Sequence, residues 1–91
     1  MRSGPGTSEK WSDFARRLAV NLRQRRDAAG LTQEQVAELA GISLYAYQTY
    51  ERGTAQGQAV NPRLATVLVL SQVLDTSLDD LLPEAPRLTT R

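Results

Sequence analysis

The 91-residue chain has no cysteine and no histidine, and these two absences exclude several kinds of chemistry. Without cysteine there is no disulfide, no thiolate nucleophile and no cysteine-ligated zinc. Without histidine the most common general base and the most common metal ligand are missing. Lys10 is the only lysine, and the only adjacent carboxylates, Asp79 and Asp80, would point about 100° apart on a helix. We therefore expect no catalytic residue, no metal, no cofactor and no enzymatic activity.

Long hydrophobic runs are missing as well. No apolar run approaches the ~18–20 residues of a membrane span. The first residues, MRSGPGTSEK, lack the apolar segment of a signal peptide. We therefore expect a cytoplasmic location and no membrane partner. The apolar fraction of 41% and the charged fraction of 23% are typical of a globular domain with one core.

Charge is unevenly distributed, although the net charge is only +1. Residues 1–63 carry nine Lys/Arg against six Asp/Glu, a net of +3, and residues 64–91 carry two against four, a net of −2. Five arginines fall within eleven positions and form either a solvated helix face or a phosphate-facing surface. These arginines are Arg16, Arg17, Arg23, Arg25 and Arg26.

An apolar stripe with a spacing of four residues predicts a first helix over about 13–29. The stripe consists of Phe14, Leu18 and Leu22. Ser12 is a plausible N-cap, and Gly30 fits the end of this helix because glycine adopts a left-handed conformation at little cost. Residues 1–10 and 84–91 are predicted as flexible tails around a domain of residues 11–83.

Two short helices follow. Thr32 and Gln35 have the spacing of a capping box and predict the start of the second helix, which ends at Gly41. Ser43 is the predicted N-cap of the third helix, which ends at Gly53. The inward-facing residues expected in the second helix are Val36, Leu39 and Ala40.

Residues 53–61 are predicted to form a loop, and no segment shows the alternation of a half-buried strand. Asn61 and Pro62 are suited to the N-cap and first position of a fourth helix. This helix is apolar nearly all round, which predicts a central position in the core. A short fifth helix over 76–82 is predicted to stop at Pro83. The apolar residues of the fourth helix are Leu64, Val67, Leu68, Leu70, Val73 and Leu74.

The turn between the second and third helices has the composition of a helix-turn-helix. Such a turn sets two helices at a steep angle, with the second helix projecting from the body. Ala37 would allow close helix packing, Gly41 would supply a positive φ, and Ile42 would fill the space under the turn. Other helical hairpins use similar residues, so this pattern by itself leaves both interpretations open.

Residues 14–82 resemble the phage Cro/repressor family of helix-turn-helix domains, also called the XRE type. The matching residues are Leu22-Arg23, Arg26, Gly30-Leu31-Thr32-Gln33-Glu34, Val36-Ala37, Ala40-Gly41-Ile42-Ser43, Tyr50-Glu51-Arg52-Gly53, Asn61-Pro62, Leu64, Leu68 and Ser77-Leu78-Asp79-Asp80-Leu81-Leu82. The resemblance implies an all-α, lambda-repressor-like domain of five helices. It also implies a sequence-specific transcriptional regulator that binds double-stranded DNA, usually as a homodimer.

The resemblance also implies which residues contact DNA. The recognition helix, 43–52, would enter the major groove, with Tyr47 and Tyr50 on its buried side. Arg26 and Glu51 would form an ion pair between the first and third helices. The expected base contacts are Leu44, Tyr45, Gln48 and Thr49. The expected phosphate contacts are Gln33, Ser43, Arg52 and Arg63. The position of Gln33 at a helix N-terminus, which attracts anions, supports its phosphate contact.

Two departures from the family pattern affect this prediction. Leu44 cannot form a hydrogen bond with a base, which leaves Gln48 as the one residue suited to a bidentate contact with adenine. The loop from Gly53 to Pro62 is about five residues longer than the common form, and an insertion there would shift Arg63 from the family position or add an interface. The alternative function is a protein-interaction or antitoxin-like module with a protein partner, suggested by Leu44, Tyr45, Tyr47 and the long loop.

Overall fold

The computed structural model describes residues 9–89, and this part of the chain is mostly helical. Its helices are α1 (Glu9–Ala29), α2 (Gln33–Ala40), α3 (Leu44–Arg52), α4 (Leu64–Val73) and α5 (Leu78–Leu81). A small antiparallel hairpin of β1 (Thr54–Ala55) and β2 (Gln58–Ala59) joins α3 to α4. The predicted five-helix fold is confirmed. No described helix combines the length and apolarity needed to cross a membrane.

The core forms where the long helix α1 packs against α3, β2 and α5, and where α4 packs against α2 and α5. The predicted stripe on α1 is confirmed, since Phe14, Leu18 and Leu22 are all buried. The central cluster contains Leu18, Leu22, Val36, Ala37, Tyr47, Val67, Leu70, Leu74 and Leu81. Contributions from all five helices make this a single core, as expected for a chain of this size.

The turn between α2 and α3 has the predicted construction. Thr32 and Gln35 form the complete capping box, and Ser43 caps α3. Gly41 ends α2 with φ of 72°, a conformation that side-chain-bearing residues adopt at a cost. Ile42 packs, partly buried, against the core below the turn. Local sequence signals therefore define both ends of this turn.

The first helix begins earlier than predicted. It starts at Glu9, so Ser12 lies inside it instead of capping it. Trp11 explains the extension, because its ring stacks on Phe14 with centroids 5.0 Å apart and its Nε1 donates to the Val60 carbonyl at 2.9 Å. Of the predicted N-terminal tail, residues 9 and 10 are helical, and residues 1–8 lie outside the described residues.

Three leucines predicted to face inward are exposed. Leu39 of α2 is 63% exposed, and Leu64 and Leu68 of α4 are 68% and 40% exposed. Helix α4 buries Val67 and Leu70 and leaves its other side open. An apolar residue is not required to be buried, because much of any protein surface is apolar. The fourth helix thus contributes Val67 and Leu70 to the core, but its predicted central position is wrong for the side that carries Leu64 and Leu68.

The long segment after α3 is a hairpin and not an irregular loop. Gln56 and Gly57 form its tip with φ of 53° and 81°, the positive values of a two-residue hairpin turn. Strands of two residues are too short for alternation to reveal them in the sequence. Helix α4 then begins at Leu64 with Arg63 as N-cap, so Asn61 and Pro62 precede the helix and do not start it.

Candidate nucleic-acid interface

Helix α3 is fixed at both ends and along one side. The Ser43 Oγ accepts a hydrogen bond from the Ala46 backbone N–H at 3.0 Å. At the other end the Gly53 N–H donates to the Thr49 carbonyl at 2.8 Å. Tyr47 is fully buried in the core, and both α1 and α2 pack against α3. The opposite side of the helix is left facing solvent.

Three of the four predicted base-contacting residues lie on this solvent side. Tyr45 is 58% exposed, and Leu44 and Gln48 are partly exposed. Leu44 and Gln48 line one shallow groove together with the first residues of α2. We call Leu44, Tyr45 and Gln48 the recognition face. A single projecting helix of this kind is what the major groove, about 12 Å wide, can admit.

The fourth predicted residue, Thr49, does not project outward. Its side chain is 3% exposed, and its Oγ1 donates to the Ala46 carbonyl at 2.6 Å. Position 49 lies at the edge of the predicted face, and β1 packs against α3 directly after the helix ends. The expectation that Thr49 shares the exposed ridge is corrected by its burial.

The structure brings Arg26 and Glu51 together as expected. The Arg26 Nε donates to Glu51 Oε2 at 2.6 Å and its Nη2 donates to Oε1 at 3.1 Å, which is a bidentate pair. Tyr47 also donates its hydroxyl to Glu51 Oε2, and Gln33 Nε2 donates to Oε1 at 2.9 Å. The Glu51 side chain is only 2% exposed, so four donors surround one buried carboxylate.

These contacts determine the charge states of the group. Burial raises the pKa of Glu51, but the hydrogen bonds from Arg26, Tyr47 and Gln33 outweigh this effect, and the net pKa is lowered. The pKa of Tyr47 is raised, first by burial and then by its hydrogen bond to Glu51. Glu51 is thus an anion and Tyr47 a neutral donor at pH 7. The ion pair joins α1 to α3, the helix that carries the recognition face.

Gln33 connects this buried carboxylate to the recognition face. Its Nε2 donates to Glu51, and its Oε1 accepts from Gln48 Nε2 at 3.3 Å. The side chain of Gln33 is therefore engaged on both amide atoms within the protein. Its second Nε2 hydrogen and its position at the first residue of α2 remain suited to the predicted phosphate contact.

The other predicted phosphate-contacting residues are exposed: Ser43, Arg52 and Arg63. Arg52 lies in the last turn of α3, and Arg63 is the N-cap of α4. The ion pairs within residues 9–89 involve Arg16, Arg17 and Arg26 and leave Arg52 and Arg63 without a carboxylate partner. Both cations therefore remain available for an anion outside the protein.

The sequence placed Arg23 in the arginine cluster and in the family match, but it did not predict a role for this residue. Its Nη1 donates to the Glu51 carbonyl, and it lines a groove with Gln33, Gln48 and Arg52. Its place in the cluster could not separate it from Arg16 and Arg17, which both pair with Asp13 on α1. Within the arginine cluster, Arg16 and Arg17 are therefore exposed residues paired with Asp13, whereas Arg23 lies beside the recognition face.

A short capped helix that projects from the supporting helices α1 and α2, beside arginines without a carboxylate partner among the described residues, defines a helix-turn-helix DNA-binding domain. The comparison with known proteins agrees. The family model of the helix-turn-helix domain matches residues 17–85. The chain belongs to this family, and the XRE-type resemblance is confirmed.

The matched relatives are regulators. Control protein C.SmaI of Serratia marcescens is 36% identical over 70 residues, which cover 77% of this chain and 77% of that protein. The restriction-modification controller protein C.AhdI from Aeromonas hydrophila superimposes with a TM-score of 0.66 at 31% identity, covering 75% of this chain and 96% of that one. The hypothetical transcription factor NHTF from Neisseria superimposes with a TM-score of 0.67 at 25% identity, covering 82% of this chain and 78% of that one. The chain is therefore a DNA-binding regulator of the helix-turn-helix class.

Proposed function

We propose that the protein regulates transcription by inserting the recognition face of α3 into the major groove of duplex DNA. The supporting observation is the solvent exposure of Tyr45 beside Leu44 and Gln48 on a helix whose other side is fixed in the core. Gln48 pairs with an adenine edge, Leu44 contacts a thymine methyl group, and Tyr45 contacts the neighbouring backbone. With one amide and no arginine on this face, direct readout is modest.

Contacts with phosphates fix the position of the helix on DNA. We assign this role to the N-terminus of α2 with Gln33, to Ser43, and to the exposed Arg52 and Arg63. Arg23 joins this group because it lines the groove between Gln48 and Arg52. Thr49 is excluded from the base contacts in this assignment because it is buried.

We also propose that the protein acts in the cytoplasm as a homodimer and without enzymatic activity. The family resemblance supports a symmetric dimer, and Leu64 and Leu68, one turn apart on α4, give an exposed apolar strip on which a second copy could close. Light scattering during size-exclusion chromatography tests this assembly. We expect the wild type to be a dimer. A wild-type protein that stays monomeric at every concentration measured would contradict the proposal.

Selection of bound DNA from a random duplex pool tests the function itself. We expect a palindromic consensus for the wild type and a relaxed position within each half-site for Gln48→Ala. Gln24→Ala is the matched control, because Gln24 is exposed on α1 outside the recognition face. Failure of the wild type to enrich any sequence at low salt would contradict the proposal. A stable protein partner lost in Tyr45→Ala would instead favour the interaction-module alternative.

The relatives suggest a first target. Two of the matched proteins are named as controller proteins, and one of them is a restriction-modification controller. We propose the promoter of a restriction–modification operon as the first regulatory target to test for this chain. A reporter behind such a promoter should respond to the wild type and not to Gln48→Ala. An unresponsive reporter would reject this target without affecting the DNA-binding proposal.

A further inference from the structure

Glu51 lies inside the protein, and hydrogen bonds link it through Gln33 to Gln48 on the recognition face. A carboxylate can only accept hydrogen bonds, so the group that Gln33 presents to Glu51 must be its NH₂. The other end of the same amide, Oε1 of Gln33, then faces Gln48 and can only accept. Gln48 in turn must present its own NH₂ to Gln33, as the 3.3 Å contact shows.

These hydrogen bonds leave one donor and one acceptor of the Gln48 amide free at the protein surface. The Nε2 of Gln48 has two hydrogens, and only one is used by Gln33. The second N–H and the Oε1 of Gln48 therefore remain for DNA, in a fixed order. Adenine presents the complementary pair in the major groove, an acceptor at N7 and a donor at N6, whereas guanine presents two acceptors at N7 and O6.

We propose that Glu51, acting through Gln33, holds the amide of Gln48 in the orientation that selects adenine over guanine at one operator position. This inference rests on the proposed function and deepens it. Glu51 and Gln33 are positioning residues, and Gln48 alone touches the base. The buried carboxylate of Glu51, which joins α1 to α3, thus determines which end of the Gln48 amide donates and which end accepts at the DNA.

The test is the ratio of affinities for two operators that differ only at the position read by Gln48. That position is the one that relaxes in the Gln48→Ala selection. Gln33→Met keeps the length of the side chain and removes its amide. We expect the preference for adenine over guanine to fall by about threefold or more in Gln33→Met and to stay unchanged in the control Gln24→Met, at an exposed position of α1.

The two roles of Gln33 give different results in this experiment. A residue that only contacts phosphate lowers affinity equally for all sequences. Equal weakening of both operators by Gln33→Met would therefore overturn the orienting role while leaving DNA binding intact. Gln33→Asn is a second test, since its amide is too short to reach both partners, and it should also lose the preference. An absence of selective DNA binding by the wild type would overturn the proposed function and this inference together.

A measurement on the free protein is independent of DNA. The side-chain ¹⁵N–¹H₂ signal of Gln48 should shift in Gln33→Met and remain in place in Gln24→Met. A Gln48 signal that is unchanged in Gln33→Met would contradict the proposed contact.

Discussion

At the scale of single residues, Glu51 is the buried anion at which side chains of three helices meet. Its carboxylate accepts hydrogen bonds from Arg26 on α1, Gln33 on α2 and Tyr47 on its own helix. A carboxylate with a side-chain exposure of 2% is tolerated only when its charge and its lone pairs are satisfied in this way. Every buried side-chain N or O atom among the described residues has a hydrogen-bond partner, so this network is complete.

The network predicts a specific dependence of stability on pH. Because the folded-state pKa of Glu51 is lowered, its contribution is fully present above the unfolded pKa of about 4.3 and is lost as pH falls through the lower folded value. In urea denaturation at a series of pH values, Glu51→Gln should reduce the loss of unfolding free energy below about pH 4.

Glu38→Gln is the matched control, because Glu38 is exposed on α2. The change of unfolding free energy with pH in this variant should match that of the wild type. Part of the slope will remain in Glu51→Gln, because the hydrogen bond from Arg17 also lowers the pKa of Asp13. Identical pH profiles for Glu51→Gln and the wild type would contradict this account of the charge state.

At the scale of elements, the orientation of α3 depends on how the chain leaves it. Gly53 has φ of 84°, and a Cβ at this position would lie 3.3 Å from both the Ala15 carbonyl oxygen and the Arg16 Cα. The glycine therefore lets the end of the recognition helix approach the backbone of α1. The hairpin begins at the next residue, Thr54. Just after the hairpin, the Val60 carbonyl accepts a hydrogen bond from Trp11 Nε1 on α1.

Substitution of two glycines separates backbone conformation from crowding. Gly41→Ala should cost about 1–2 kcal/mol of unfolding free energy, since φ is 72° and the space around the Cβ is open. Gly53→Ala should cost more, because the left-handed conformation is combined with backbone contacts that cannot move away. Thermal unfolding followed by circular dichroism measures both, and an equal loss in the two variants would contradict the close approach.

The sequence predicted those features that short stretches of chain determine. The capping box of Thr32 and Gln35, the turn at Gly41 and the cap at Ser43 follow from neighbouring residues and are present in the structure. The face of α3 was predicted for Leu44, Tyr45 and Gln48 from helix periodicity and the family resemblance.

The remaining features depend on which elements meet in space. Thr49 is buried at the edge of the face where the hairpin packs, and Leu39 and Leu64 are exposed because no element covers them. The hydrogen bonds that join Gln33 to Glu51 and Gln48 connect residues 18 and 15 positions apart. Periodicity within one helix contains no information about such pairs.

At the scale of the whole molecule, charge is arranged so that a nearly neutral protein can bind a polyanion. The net charge is +1, yet Arg16 and Arg17 share the single carboxylate of Asp13, and Arg26 is paired with Glu51. Arg52 and Arg63 keep their charges beside the two ends of the hairpin. The field that attracts DNA is therefore local, and non-specific binding should be weak at physiological salt.

The salt dependence of DNA binding tests this arrangement. Arg52→Gln and Arg63→Gln should each lower the slope of log affinity against log salt by about 1, because each removes one phosphate contact. Arg16→Gln is the matched control, an exposed arginine already paired with Asp13, and should leave the slope unchanged. Fluorescence anisotropy with a labelled operator gives the slopes. A loss of slope in Arg16→Gln equal to that in Arg52→Gln would contradict the assigned contacts.

The central claim is that the recognition face lies against base edges in the major groove, and site-specific photocrosslinking tests it most directly. A benzophenone amino acid at position 45, which is 58% exposed on α3, should crosslink to nucleotides within each half-site of the selected operator. The same group at position 88, 43% exposed and outside the helix-turn-helix, should give no crosslink to DNA. Crosslinks from position 45 to protein alone, while the operator remains bound, would contradict the account.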